Sequence, residues 1–198
     1  MVASYAAVGC LSNSPAILSQ WRGYAADGAG IAIGINSHVF QKLDCEVREC
    51  VYSDADHASV VDDIASQHGD FIRELETETA TDRYFEKINS DDRFFNITCE
   101  LLRLKNVAFS EEKEVRIIKR ITDLSEWKLR VRDSLAVPYV EFNLAEHGSD
   151  GIAGVGGYRH YAFPELWYGP KCNDRNKLAF EVLLPSFTRG KVFDCGYV

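Results

Sequence analysis

Basic residues are in short supply. Lysine and arginine total 22 against 30 aspartates and glutamates, a formal net charge of −8. Such a chain repels nucleic acid at long range and is not drawn to an anionic membrane. No dense basic stripe offsets this. Lys119-Arg120 and Arg130-Val131-Arg132 are short and read as solvated strand residues. The cysteines at 10, 45, 50, 99, 172 and 195 include no C-x-x-C pair, and Cys45 and Cys50 are not answered by a second pair at zinc-ligand spacing. Reduced thiols in the cytoplasm are the expectation, in place of a disulfide scaffold. No apolar run reaches the roughly 18 residues that cross a bilayer. The opening MVASYAAVGCLSNSP lacks the basic start of a secretory leader.

Several catalytic signatures are missing too. The histidines at 38, 57, 68, 147 and 160 form no H-E-x-x-H or other paired metal spacing, so no metal is expected. There is no G-x-S-x-G elbow and no phosphate-binding P-loop. Gly28-Ala29-Gly30 has a helical pattern before it and a strand pattern after it. That is the reverse of a dinucleotide fingerprint, and it reads as a turn.

What is present is an ordinary globular composition, 46% hydrophobic and 26% charged over 198 residues. A domain of this size buries roughly 70% of the surface its unfolded chain exposes, enough for a core without staples. One domain is expected, with a helical insertion at about 54–105. The pattern opens with a short strand from Tyr5 to Leu11. Asn13-Ser14-Pro15 follows as a helix start, and Ile17, Leu18, Trp21, Tyr24 and Ala25 share one helical face. Ile31 to Ile35 reads as a central strand, a short helix follows near Ser37 to Leu43, and Glu46 to Tyr52 is another strand. Val60, Val61, Ile64, Phe71 and Leu75 are spaced for one amphipathic helix of the insertion, and Phe94, Ile97, Leu101 and Leu102 for another. Breaks are expected near Thr77 to Thr81 and Asn89 to Asp92. Strand patterns return at Val115 to Ile121, Trp127 to Arg132, Ala136 to Phe142, Phe163 to Tyr168 and Lys191 to Cys195, with a helix over about Arg175 to Leu184. The glycines at 148, 151, 154, 156 and 157 mark a turn-rich loop. Helices and strands do not alternate as βαβ units, so the class is α+β, a strand-rich core with a helical insertion.

The densest chemistry lies in Glu112-Lys113-Glu114-Val115-Arg116. In a strand, positions i, i+2 and i+4 share a face, which would line up Glu112, Glu114 and Arg116 and leave Val115 and Ile117 for burial. Arg116 could hold one carboxylate ionised, and the like charge would push the other upward in pKa. Such pairs serve as general bases or stabilise a developing cation. The competing reading is a solvent-facing strand with ordinary salt bridges. Trp21 and Tyr24, three apart on the first helix, fit either core packing or a ligand surface, while Arg22 points elsewhere and could reach an anion. Ser12 and Ser14, beside a helix start, are candidates for a ribose or phosphate contact or for a plain cap.

These segments, taken in order, resemble a prokaryotic family. Cys10-Leu11-Ser12, Trp21-Arg22-Gly23-Tyr24-Ala25, Gly30-Ile31-Ala32-Ile33-Gly34 and Val51-Tyr52 resemble its opening motifs. Lys105, Phe109, Glu112, Glu114 and Arg116 resemble its Lys, aromatic, Glu-x-Glu-x-Arg signature, in which the aromatic is often Trp. Leu166-Trp167-Tyr168-Gly169-Pro170 resembles its late strand ending in Gly-Pro. The family is the domain-of-unknown-function family 2971. Its members carry a further segment before the Cys-Leu-Ser strand, whereas this chain starts almost on it. A second copy or a partner chain completing that edge is therefore an expectation.

The layout, an early serine and a later Glu-x-Glu strand, is similar to that of ADP-ribosyltransferases. The resemblance implies NAD as substrate, Glu114 contacting the nicotinamide ribose and Glu112 activating the acceptor. It also implies Ser12 supporting the ribose, and Arg22 or Arg116 steadying charge. The activity expected is ADP-ribose transfer by a toxin or phage-defence effector. The alternatives are a non-catalytic binding module for a protein or nucleotide, and an NAD glycohydrolase using the same glutamates.

Overall fold

The computed structural model describes residues 5–132, 134–142, 152–153, 159–160, 162–183 and 191–196. The elements run β1 (Tyr5–Ser12), α1 (Leu18–Tyr24), β2 (Ile31–Gly34), α2 (His38–Gln41), β3 (Cys45–Glu49), α3 (Asp54–Thr77), α4 (Thr81–Ser90) and α5 (Asp92–Leu101). There follow β4 (Glu114–Ile121), β5 (Lys128–Arg132), β6 (Leu135–Tyr139), β7 (Ile152–Ala153), β8 (Arg159–His160), β9 (Glu165–Tyr168), α6 (Asp174–Leu183) and β10 (Lys191–Asp194). The class is α+β. Among the described residues no helix is long and apolar enough to cross a membrane. Two compact units emerge: the described residues of Met1–Leu11 with Cys45–Glu141, and those of Ser12–Asp44 with Phe142–Val198.

The first unit is organised by β4. It is the middle strand of a three-stranded sheet in the order β1-β4-β3, and β3 runs antiparallel to it with Val47 opposite Ile117 and Arg48 opposite Arg116. Both faces of β4 are covered: Val115, Ile117 and, at the strand's end, Ile121 are buried on one side, and Ile118 on the other. A strand buried on both faces reads as a near-continuous apolar run, as Val115 to Ile121 does apart from its cations. Those cations are paired: Lys119 bonds Glu126, and Arg120 bonds Asp92 at 2.6 Å. The strand bearing Lys119-Arg120 is therefore half-buried and bridged, which corrects the expectation of a solvated run.

The three helices α3, α4 and α5 fall between β3 and β4. Ser53 caps α3 by accepting from the Asp56 N–H at 3.1 Å, and Asp91 caps α5 by accepting from the Arg93 N–H at 2.8 Å. Val60, Ile64, Phe71 and Ile97 form one apolar cluster, flanked by Val51, Ile72, Leu75, Phe94 and Leu104. Phe71 and Ile118 are almost fully enclosed. Ile118→Val should lower the unfolding free energy by about 1 kcal/mol, through one lost methylene and the small cavity it leaves. Denaturant melts would check this. The hairpin β5–β6 is exposed along most of its length, as expected for Arg130-Val131-Arg132.

In the second unit the sheet order is β10-β9-β2, with β10 parallel and β2 antiparallel to β9. Among the described strands β9 is thus the middle one and β2 lies at the edge, which corrects the reading of Ile31 to Ile35 as central. Leu166 and Tyr168, alternate residues of β9, supply its buried face. The glycines at both ends of this pairing have a mechanical role. The Gly169 N–H donates to the Gly30 carbonyl at 3.0 Å, and the Lys171 N–H to the Gly28 carbonyl at 2.9 Å. A Cβ on Gly169 would stand 2.3 Å from the Gly28 oxygen, so no larger residue fits.

The first helix begins later than Asn13-Ser14-Pro15 implies. Its N-cap is Ile17, with no side-chain cap bond. The polar residues close the preceding turns instead: Ser12 Oγ bonds the Ser14 backbone at 3.2 Å, and Ser14 Oγ accepts from the Ala16 N–H at 3.2 Å. Local side-chain bonds of this kind compete with helix formation. The loop from 148 to 157 lies outside the described residues except for Ile152–Ala153.

Candidate functional site

The site is built at the corner where the helical segment returns to the sheet. Asn106 caps a 3-10 turn over Val107–Glu112, its Oδ1 accepting from the Ala108 N–H at 2.9 Å. Lys113 then adopts a left-handed backbone, with φ of 45°. That reverses the chain direction, so β4 starts only at Glu114. Glu112 therefore sits on the 3-10 turn. The expectation that Glu112, Glu114 and Arg116 line one strand face holds only for the last two.

A lysine reunites the carboxylates. The backbone of Lys105 is pinned by a parallel bridge between Val51 and Leu104: the Val51 N–H donates to the Arg103 carbonyl at 2.9 Å, and the Lys105 N–H to the Val51 carbonyl at 3.0 Å. His57 Nε2 lies 3.0 Å from that same Val51 carbonyl. The Lys105 ammonium donates to Glu112 Oε2 at 2.5 Å and to Glu114 Oε2. It also lies 5.1 Å from the ring centre of Phe109. Arg116 Nε donates to the other oxygen, Glu114 Oε1, at 2.6 Å, while its Nη1 bonds the Leu102 carbonyl. Glu114 is 6% exposed, and Lys105, Glu112 and Arg116 are each below 20%. The solvent-facing strand that competed with a site at this position is thereby excluded.

More contacts surround Glu114. Its N–H donates to the Tyr52 hydroxyl oxygen at 2.8 Å, and its carbonyl accepts from the Cys50 N–H at 2.9 Å. Cys10 and Cys50 lie close enough to Glu114 to feel its charge. Burial alone would push Glu114 upward, but Lys105, then Arg116, then Cys10 outweigh it and bring the pKa down to about 2. Lys105 is shifted upward: burial opposes its charge, and Glu112 and Glu114 overcome that. Burial, and after it Glu114, raises the pKa of the Cys10 thiol. Cys50 and Tyr52 are raised as well, in each case chiefly by burial.

The structure brings together Lys105, Glu112, Glu114 and Arg116. Ser12, Trp21, Arg22 and Tyr24 belong to the second unit. Trp21 is buried and its indole N–H donates to the Pro15 carbonyl at 2.8 Å, a packing role. Tyr24 is 78% exposed, so these two aromatics do not share a buried face. Arg22 is exposed. The sequence reading missed Tyr52, Cys10 and Cys50 as neighbours of Glu114. Tyr52 and Cys10 stood in quoted motifs, but nothing in those motifs indicates which strands flank β4.

An ionised carboxylate held in a low-dielectric setting can accept hydrogen bonds from hydroxyls. It can also stabilise positive charge developing on a bound group. Residues 20–117 match the family model described as Protein of unknown function (DUF2971). The matched segment runs from α1 into β4 and contains the whole Lys105, Glu112, Glu114, Arg116 quartet, so the chain is similar to that family across its candidate site. No curated protein and no solved structure matches the chain.

Proposed function

We propose that this is a cytoplasmic enzyme resembling ADP-ribosyltransferases, which takes NAD as substrate and transfers its ADP-ribose to an acceptor. The observation that supports this reading is the buried Glu114 carboxylate, kept ionised by Lys105 and Arg116 next to a second glutamate. In the reaction the bond between the ribose C1′ and the nicotinamide nitrogen breaks, and its electron pair leaves with nicotinamide. Positive charge spreads over C1′ and the ring oxygen, where a fixed carboxylate stabilises it. Glu114 accepts a ribose hydroxyl. Glu112 takes the proton released when the acceptor attacks C1′. A toxin or phage-defence role accords with the prokaryotic family that the motifs resemble.

The test is incubation of the protein with labelled NAD and cell extract. Label transferred to macromolecules by wild type and lost in Glu114→Gln supports transfer. Free ADP-ribose as the sole product selects hydrolysis instead. Equal or absent labelling in both, with no nicotinamide released, removes the enzymatic reading.

One observation favours a second reading, a non-catalytic binding module. The quartet contains two cations and two carboxylates already bonded to one another, a self-consistent ion network that needs no reaction to explain it. Calorimetry with NAD, ADP-ribose and other nucleotides separates the two, since binding without turnover selects the module.

A further inference from the structure

The Tyr52 phenol occupies an unusual position beside Glu114. Its oxygen accepts the Glu114 N–H at 2.8 Å, at the first residue of β4. A phenol is donor and acceptor at once, so this bond leaves its hydrogen to be placed. The Glu114 side chain does not take it up. In the structure its oxygens accept from Lys105 at Oε2 and from Arg116 at Oε1, which leaves lone pairs for a further donor such as a sugar hydroxyl. Among the described residues the Tyr52 hydroxyl donates to none. Tyr52 is half-buried, so this hydrogen is available to a bound molecule. Burial raises the phenol's pKa, which keeps that hydrogen in place through neutral pH.

We propose that Tyr52 is a substrate-binding residue whose hydroxyl donates to a ribose hydroxyl oxygen of NAD while its oxygen fixes the backbone of Glu114. The proposal rests on the NAD reading above and adds to it a second ribose contact. The carboxylate accepts from the sugar and the phenol donates to it, so a sugar hydroxyl, itself donor and acceptor, satisfies both. A group that only accepts, such as a phosphate oxygen, could not bond Glu114.

The experiment is a cycle of two proteins and three ligands, read by calorimetry. Wild type and Tyr52→Phe are each titrated with NAD and with its analogues lacking the 2′- or the 3′-hydroxyl of the nicotinamide ribose. Tyr52→Phe should weaken NAD binding about 5- to 10-fold, the scale of one hydrogen bond. Wild type should lose affinity for one deoxy analogue, and Tyr52→Phe should lose much less on that same analogue. This dependence of one loss on the other is a readout that a purely structural role would not move. Independent losses in the variant and on both analogues overturn the assignment and leave the NAD reading intact. Equal binding of NAD and both analogues by wild type also overturns it, without needing the variant. Wild type that binds none of the three overturns the NAD reading itself.

Discussion

Glu114→Gln should reduce nicotinamide release from NAD by roughly 100- to 1,000-fold, the range seen when one preorganised electrostatic partner of a transition state is removed. The substitution keeps shape and removes charge. Lys105 and Arg116 would then face a neutral amide in a setting where wild-type Glu114 is 6% exposed. An uncompensated buried charge is costly, and a loss of about 3 kcal/mol of folding free energy is expected alongside the loss of rate. Activity should be measured well below the variant's Tm so that the two effects separate. A variant that is destabilised but releases nicotinamide at the wild-type rate would leave Glu114 a structural residue.

Lys105→Met should have the second-largest effect. The ammonium bonds both Glu112 and Glu114. Without it, two half-compensated carboxylates face each other, with Arg116 left on one of them. About 3 kcal/mol of stability should be lost at neutral pH. Part of that loss should disappear on acidification, because protonating one carboxylate relieves the repulsion. Glu114→Gln should show no such recovery, because the carboxylate it leaves at the site, Glu112, stays paired with Lys105 and has no like charge beside it to relieve. Thermal melts of both variants between pH 4 and pH 7 would check the contrast.

The wild-type pH dependence follows from the same bonds. The folded Glu114 pKa of about 2 lies below its ordinary value of 4.5. Such a group binds more protons unfolded than folded between those values, so its contribution is fully present above pH 4.5 and fades as pH falls toward 2. For Lys105 the shift is upward from 10.5. Its contribution is therefore present below pH 10.5 and lost only as pH rises through its folded pKa. Both contributions are intact across the physiological range.

The sequence disclosed the elements better than their neighbours. Helical spacing located α3 and α5, and the expected breaks lie where α3 gives way to α4 and α4 to α5. Alternation flagged Val115 and Ile117 as core. It could not reveal that β4 is flanked on both sides, since pairing with β1 and β3 depends on contacts distant in sequence. Glu112 was misplaced because the pattern of charge at every second residue continues through Lys113, while the backbone there turns left-handed. Lys105 was picked out by its place in the Lys, aromatic, Glu-x-Glu-x-Arg pattern, but its role as the bridge between carboxylates depends on the Val51–Leu104 pairing. Trp21 and Arg22, adjacent in one motif, separate into a buried packing residue and an exposed cation. Helical phase explains that difference once the helix start is known.

Everything proposed for this site depends on the charge state of one side chain. Carbon-13 labelling of glutamate carboxyls, with Glu114 assigned through the Glu114→Gln spectrum, would follow that charge by NMR as the folded protein is acidified. The Glu114 signal should stay at its ionised position through pH 4.5 and move only as pH approaches 2. A signal that titrates near 4.5 while the fold is intact would mean that Lys105 and Arg116 do not hold it, and the catalytic account would fail with it.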